Sequence, residues 1–174
     1  DAQRSPVYLL DAVDWSKTRA YGLGFNGLYL NLQGRERDNP ATPDSEAGIV
    51  QPGAEATQLL AELKTKLEAL RDQDGTQVVL RADLASAVYE GPRVAEAPDV
   101  VVGYNALYGN SDEASSGRIP HEVLCDNLGG TFNGSHLMAP EVVEGTILAN
   151  RRVRPGAHRL EDLTVEVLRR YGVA

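Results

Sequence analysis

Cysteine is nearly absent. Cys125 stands alone among 174 residues, so no internal disulfide can form and no Cys-rich zinc framework exists. Histidine is scarce too, with three in the chain: His121, His136 and His158. Two-ion phosphoryl chemistry draws on about six ligands, mostly Asp and His. The chain is therefore not expected to assemble such a centre unaided. Adjacent Asp-His and Asp-x-x-x-His, which would set two metal ligands together, are missing. So are His-Glu-x-x-His, the P-loop and Gly-x-Ser-x-Gly, the signatures of a zinc protease, a phosphate-cradling loop and a serine hydrolase.

No apolar run approaches the roughly 18 residues of a membrane span. The opening Asp1-Ala2-Gln3-Arg4-Ser5-Pro6 lacks the basic start and apolar stretch of a signal peptide. A soluble protein with no membrane partner is expected, the cytoplasm being favoured. An initiating Met is also lacking, which fits a processed protein or a piece of a longer chain. Positive charge is in deficit, with a formal net charge of −8. That argues against a nucleic-acid duplex as partner, because Lys and Arg must neutralise phosphates. A small phosphate-containing substrate remains compatible, since a metal ion can supply positive charge locally.

What is present is ordinary globular material, 42% hydrophobic and 24% charged. Gly27-Leu28-Tyr29-Leu30-Asn31-Leu32 alternates like a half-buried strand. The stretch 37–47, polar with two prolines, reads as a surface loop. Leu59, Leu63, Leu67 and Leu70 form one stripe at the helical period, predicting a helix from about Gly53 to Arg71. Gln77–Leu80 and Ala97–Gly103 read as strands, the second an apolar run suited to cover on both faces. Residues 104–134 are rich in Gly, Asn and Ser, and Thr146–Ala149 is a short strand candidate. A last helix carries Leu160, Leu163, Val167 and Tyr171, with Glu161 and Asp162 at its start and Arg169 and Arg170 at its end.

Gly22-Leu23-Gly24-Phe25-Asn26-Gly27 matches the dinucleotide pattern letter for letter, but that pattern must open a helix. Here strand-like alternation follows, so the glycines read as a tight turn. His121 and Cys125 would lie one helical turn apart, yet two ligands do not make a zinc site. A surface His and a buried thiol are the expectation there. Trp15, Lys17, Thr18 and Tyr21 make a dense polar-aromatic cluster, read as packing. His136 follows a Gly-rich approach, and on these grounds alone it reads as a structural loop residue.

The order of motifs adds a further reading. Val13-Asp14-Trp15-Ser16-Lys17-Thr18-Arg19-Ala20-Tyr21-Gly22-Leu23-Gly24 comes first, followed by Gly27–Leu32 and Gly34-Arg35-Glu36. Next come the Leu-striped helix, Tyr89-Glu90-Gly91-Pro92 and Ala97-Pro98-Asp99-Val100-Val101-Val102-Gly103-Tyr104-Asn105. Gly134-Ser135-His136 and Gly145-Thr146-Ile147-Leu148-Ala149-Asn150-Arg151 close the series. Together they resemble the type I phosphodiesterases and nucleotide pyrophosphatases of the alkaline phosphatase superfamily, in order and over nearly the whole chain.

The resemblance implies an α/β three-layer sandwich, with a mostly parallel sheet and helices on both faces. Residues 1–174 would be the C-terminal portion of one such catalytic domain. It implies two divalent ions, zinc or alternatively manganese, and a Thr or Ser nucleophile attacking phosphorus. His136 matches the family's metal ligand, and no other residue here does. Thr18 is not the nucleophile, whose motif and remaining ligands are expected upstream. The chain alone is therefore expected to be inactive, completed by the missing N-terminal half of the same domain and acting on a small phosphate ester or nucleotide. Where relatives read Trp-Ser-Gly-Asp-His, this chain has Phe132-Asn133-Gly134-Ser135-His136, without the acidic neighbour. The competing expectation is a non-catalytic binding or assembly module that retains the fold.

Overall fold

A computed structural model describes residues 8, 12–36, 48–120, 122–126, 137–150 and 160–173. The chain divides into two compact units, Asp1–Glu144 and Gly145–Ala174.

The first unit is built on a four-stranded sheet. Its strands are β1 (Ala20–Leu23), β2 (Gly27–Leu30), β3 (Val79–Leu84) and β4 (Val100–Tyr104), in spatial order β1-β2-β4-β3. Every pairing is antiparallel. This overturns the expected three-layer sandwich with a mostly parallel sheet. The physical reason lies in the connections. Strands β1 and β2 are joined by Gly24-Phe25-Asn26, with Gly24 at φ 75°, a turn that only an antiparallel pair can use. Between β3 and β4 lie only α2 (Ala85–Val88) and a 3₁₀ turn, Val94–Glu96. A parallel crossover usually runs through a helix that packs on the sheet, and neither of these short turns is one. The Gly-rich motif is thus a hairpin turn.

One helix covers one face of this sheet. Helix α1 (Ala54–Glu68) lies within the predicted span, and its Leu stripe divides between two apolar clusters. Leu59 and Leu63 meet Leu30 and Val50, while Leu67 and Leu70, just past the helix, meet Val78, Val79 and Val102. Leu30, Val50, Val79 and Val100 are the largest fully buried side chains. Each contributes roughly 1.5–3 kcal/mol by leaving water. On the opposite face Gly103 lies against Ala139, which is fully buried. A Cβ at Gly103 would stand 2.7 Å from Arg81 Cγ, so the close layering there requires glycine.

Strand β2 stops at Leu30, two residues before the alternation does. Asn31, 4% exposed, keeps its amide on Arg19 O at 2.9 Å but gives its backbone carbonyl to the Ile49 and Val50 amides, which ends the strand. Helix α3 (Asp112–Ser115) interrupts the long Gly/Asn/Ser-rich stretch, capped by Ser111 Oγ on the Ala114 amide at 3.1 Å. In the second unit, helix α4 (Leu160–Arg170) starts where predicted, with Arg169 and Arg170 in its last turn. Thr146–Ala149, expected as a strand, is irregular. The loop 37–47 lies outside the described residues.

Candidate functional site

The polar-aromatic cluster is assembled by a turn tied to the end of β2. The Lys17 and Thr18 amides both donate to Asp14 O at 3.0 Å, and Lys17 Nζ meets Asp14 Oδ2 at 2.8 Å. Buried Asn31 donates Nδ2 to Trp15 O at 3.0 Å and to Thr18 O at 2.9 Å, lashing that turn down. Trp15 then meets Tyr21 edge-on at 5.2 Å, and Tyr21 stacks on Tyr29 at 5.6 Å. Trp15 and Tyr21 are therefore brought together. Lys17 and Thr18 instead turn back onto Asp14.

Beside the aromatic stack sits a charged knot that no sequence spacing signals. Arg35 donates Nη1 to Asp99 Oδ1 and Nη2 to Asp99 Oδ2, both at 2.8 Å, a bidentate pair spanning 64 residues. Its Nε reaches Glu36 Oε1 at 3.0 Å, and Nη2 also reaches Leu30 O at 2.6 Å. The knot is mostly shielded, with the Arg35 and Asp99 side chains 24% and 18% exposed. Tyr21 Oη closes it by donating to Glu36 Oε2 at 2.9 Å. Burial, and then this bond to a carboxylate, push the Tyr21 phenol well above its ordinary pKa of 10.0.

The knot forms part of the wall of an open depression of about 540 Å³, completed by Leu32, Gln33, Gly34, Val94 and Ala95. Its chemistry follows from the charge count. Two carboxylates face one guanidinium whose bonds run inward to Asp99, Glu36 and the Leu30 carbonyl. Arg35 offers no surplus positive charge to a phosphate, so its role is to fix the wall.

The far end of β4 bears on the predicted ligand. Tyr104 forms a parallel bridge with Met138, and the Ala139 amide donates to Tyr104 O at 2.8 Å. The chain is thus pinned to the sheet two residues after position 136. His136 itself lies outside the described residues, as do His121 and His158. Among the described residues, no group of three or more His, Cys, Asp or Glu side chains could hold a metal. Those residues do not by themselves fit a two-ion centre. Residues 122–126 form no helix. Cys125, expected as a buried thiol, is exposed.

No protein-family model, no curated protein and no solved structure matches this chain. No helix among the described residues is long and apolar enough to cross a membrane.

Proposed function

We propose that this chain is part of a metal-dependent hydrolase of phosphodiester or nucleotide pyrophosphate bonds. In this reading it contributes His136 as one metal ligand and the Arg35–Asp99 wall as part of the substrate pocket. The ions are two divalent cations, zinc or alternatively manganese, with the nucleophile and the other ligands carried on polypeptide beyond this sequence. The substrate is a small phosphate ester or nucleotide.

One observation carries the reading. The motifs behind the resemblance are far apart in sequence, yet they meet at β4. Asp99, from Ala97-Pro98-Asp99, grips Arg35 of Gly34-Arg35-Glu36 through two bonds of 2.8 Å. The segment entered two residues after His136 pairs with Tyr104, at the other end of the same strand. Motifs retained in order for one site are expected to converge in this way.

The test begins with the reading frame upstream of Asp1, expected to encode Asp ligands, a Thr or Ser nucleophile and an adjacent Asp-His. The full product, assayed on bis-para-nitrophenyl phosphate with zinc, should lose at least about 100-fold in turnover on His136→Ala, a first-sphere ligand being worth no less than its supporting partners. Turnover by the 174-residue chain alone, above its His136→Ala control, overturns the proposal.

A further inference from the structure

Strand β3 is the last strand of the sheet on its side, and its outer edge is occupied by side chains. Ala82 faces Val102 of β4, the strand pairs being antiparallel. Its own amide and carbonyl are bound from α1. The amide donates to Glu68 Oε1 at 3.0 Å, and the carbonyl accepts from Lys64 Nζ at 2.8 Å. Lys64 and Glu68 are themselves joined at 2.5 Å, one helical turn apart. An acceptor and a donor, correctly spaced, thus stand where the backbone of a fifth strand would stand.

An edge strand with free amide and carbonyl groups is a template for another chain. Most charged pairs on an exposed helix face do nothing of this kind. Glu62 and Lys66 have the same i, i+4 spacing on α1 and bond only each other, at 2.6 Å. The matched pair shows that helix spacing alone does not account for the contacts at Ala82. We infer that the Lys64–Glu68 pair is an edge guard, which keeps a second copy of this chain from adding its β3 to this one.

A second copy is the occupant the geometry favours, because an edge strand on a twofold axis meets its own twin antiparallel, the pairing used throughout this sheet. Val79, Leu80 and Leu84 give β3 apolar strand-forming positions on either side of the Arg81–Asp83 ion pair. This inference is independent of the proposed hydrolase role.

The test compares Lys64→Ala/Glu68→Ala with Glu62→Ala/Lys66→Ala in the full chain. Each removes one positive and one negative charge from the same helix, so net charge is constant. Light scattering on a sizing column should show the first variant at twice the unaltered mass or more, and the second unchanged. Should Lys64→Ala/Glu68→Ala fail to fold, Glu68→Ala alone is read by amide exchange at Ala82, expected at least tenfold faster than in Glu62→Ala. A folded Lys64→Ala/Glu68→Ala that keeps the mass of the unaltered chain overturns the inference, as does equal association of both double variants.

Discussion

The Asp99 carboxylate accepts the amide proton of Leu30 at 2.6 Å, at the place where β4 would have accepted it had the ladder continued. Strands β2 and β4 pair only through Gly27 and Leu28. Beyond them Asp99 takes the Leu30 amide, and Arg35 takes the Leu30 carbonyl at 2.6 Å. Glu68 and Lys64 treat Ala82 in the same manner at the outer edge. In both places an acid–base pair imitates one residue of a strand. The arrangement resolves a general difficulty, since an unpaired backbone group shielded from water costs about 1–3 kcal/mol.

Removing one half of the inner pair should therefore be worse than losing a surface salt bridge. Asp99→Ala leaves Arg35 with Glu36 as its remaining acid and the Leu30 amide without its acceptor. A loss of about 3 kcal/mol is expected, near the lower bound for breaking a shielded pair. Asp99→Asn, which still offers an oxygen to Leu30, should lose less. Arg35→Ala/Asp99→Ala should lose less than the sum of its single variants, because the two side chains act as a unit. Urea denaturation of the four variants measures all of this.

Two residues with positive φ should respond in opposite directions. Gly48 has φ 75°, and a Cβ there would stand 2.2 Å from the Leu32 carbonyl oxygen. Neither the angle nor the space admits a side chain, so Gly48→Ala should cost at least about 2 kcal/mol, in the range of severe backbone misfits. Leu107 has φ 72° and is 101% exposed, in a turn closed by the Tyr108 amide on Asn105 O at 3.1 Å. Such a turn favours glycine at its third position. Leu107→Gly gives up no burial and relieves about 1–2 kcal/mol of left-handed strain against about 0.5–1 kcal/mol of added backbone entropy, so it should raise the melting temperature slightly.

The outer pair predicts a pH dependence. Lys64 first, and the Ala82 amide second, hold the Glu68 carboxyl below its ordinary value of 4.5. A carboxyl depressed in the folded state stabilises it fully above that ordinary value. The contribution fades as pH falls through the lowered folded value. Glu68→Gln should therefore be less stable than the unaltered chain at pH 7, with the difference shrinking below about pH 4, the unperturbed carboxylate range. Denaturation midpoints from pH 7 to pH 2 give the comparison, and a difference that widens in acid would contradict it.

How far the sequence reveals these features depends on whether their cause is local. The four leucines of α1 announce a helix because the pitch alone sets their spacing. The turn at Gly24 is legible for a similar reason, since only its immediate neighbours decide it. Strand direction is not local. Val100-Val101-Val102 reads as buried on both faces, as a parallel strand would be, although α1 covers one face and Ala139 part of the other. Strand β1 escapes notice because Ala20-Tyr21-Gly22-Leu23 alternates too weakly to signal a face. Arg35 and Asp99 stand within the motifs that carry the resemblance, yet nothing in a 64-residue separation says they touch. The metal-ligand role proposed for His136 rests on resemblance alone, and the residue lies outside the described residues.

Tyr21 predicts the behaviour at the alkaline end. Its phenol is sheltered by burial and donates to Glu36, so ionising it would set a phenolate beside a carboxylate. The folded value is therefore raised above the unfolded one, near 10.0. A group raised in this direction contributes stability that is complete below the unfolded value. It is lost as pH climbs from there through the folded value. Tyr21→Phe removes both the hydrogen bond and the titration. At pH 8 it should cost about 1 kcal/mol, the usual net worth of one such bond. Between pH 10 and 11 that deficit should narrow, because the unaltered chain alone is losing the contribution. The same variant should also lack one of the last tyrosines to ionise in an ultraviolet titration. If the deficit is constant with pH and the spectrum of late-ionising tyrosines is unchanged, Tyr21 is not the sheltered phenol and the Glu36 contact does not hold in solution.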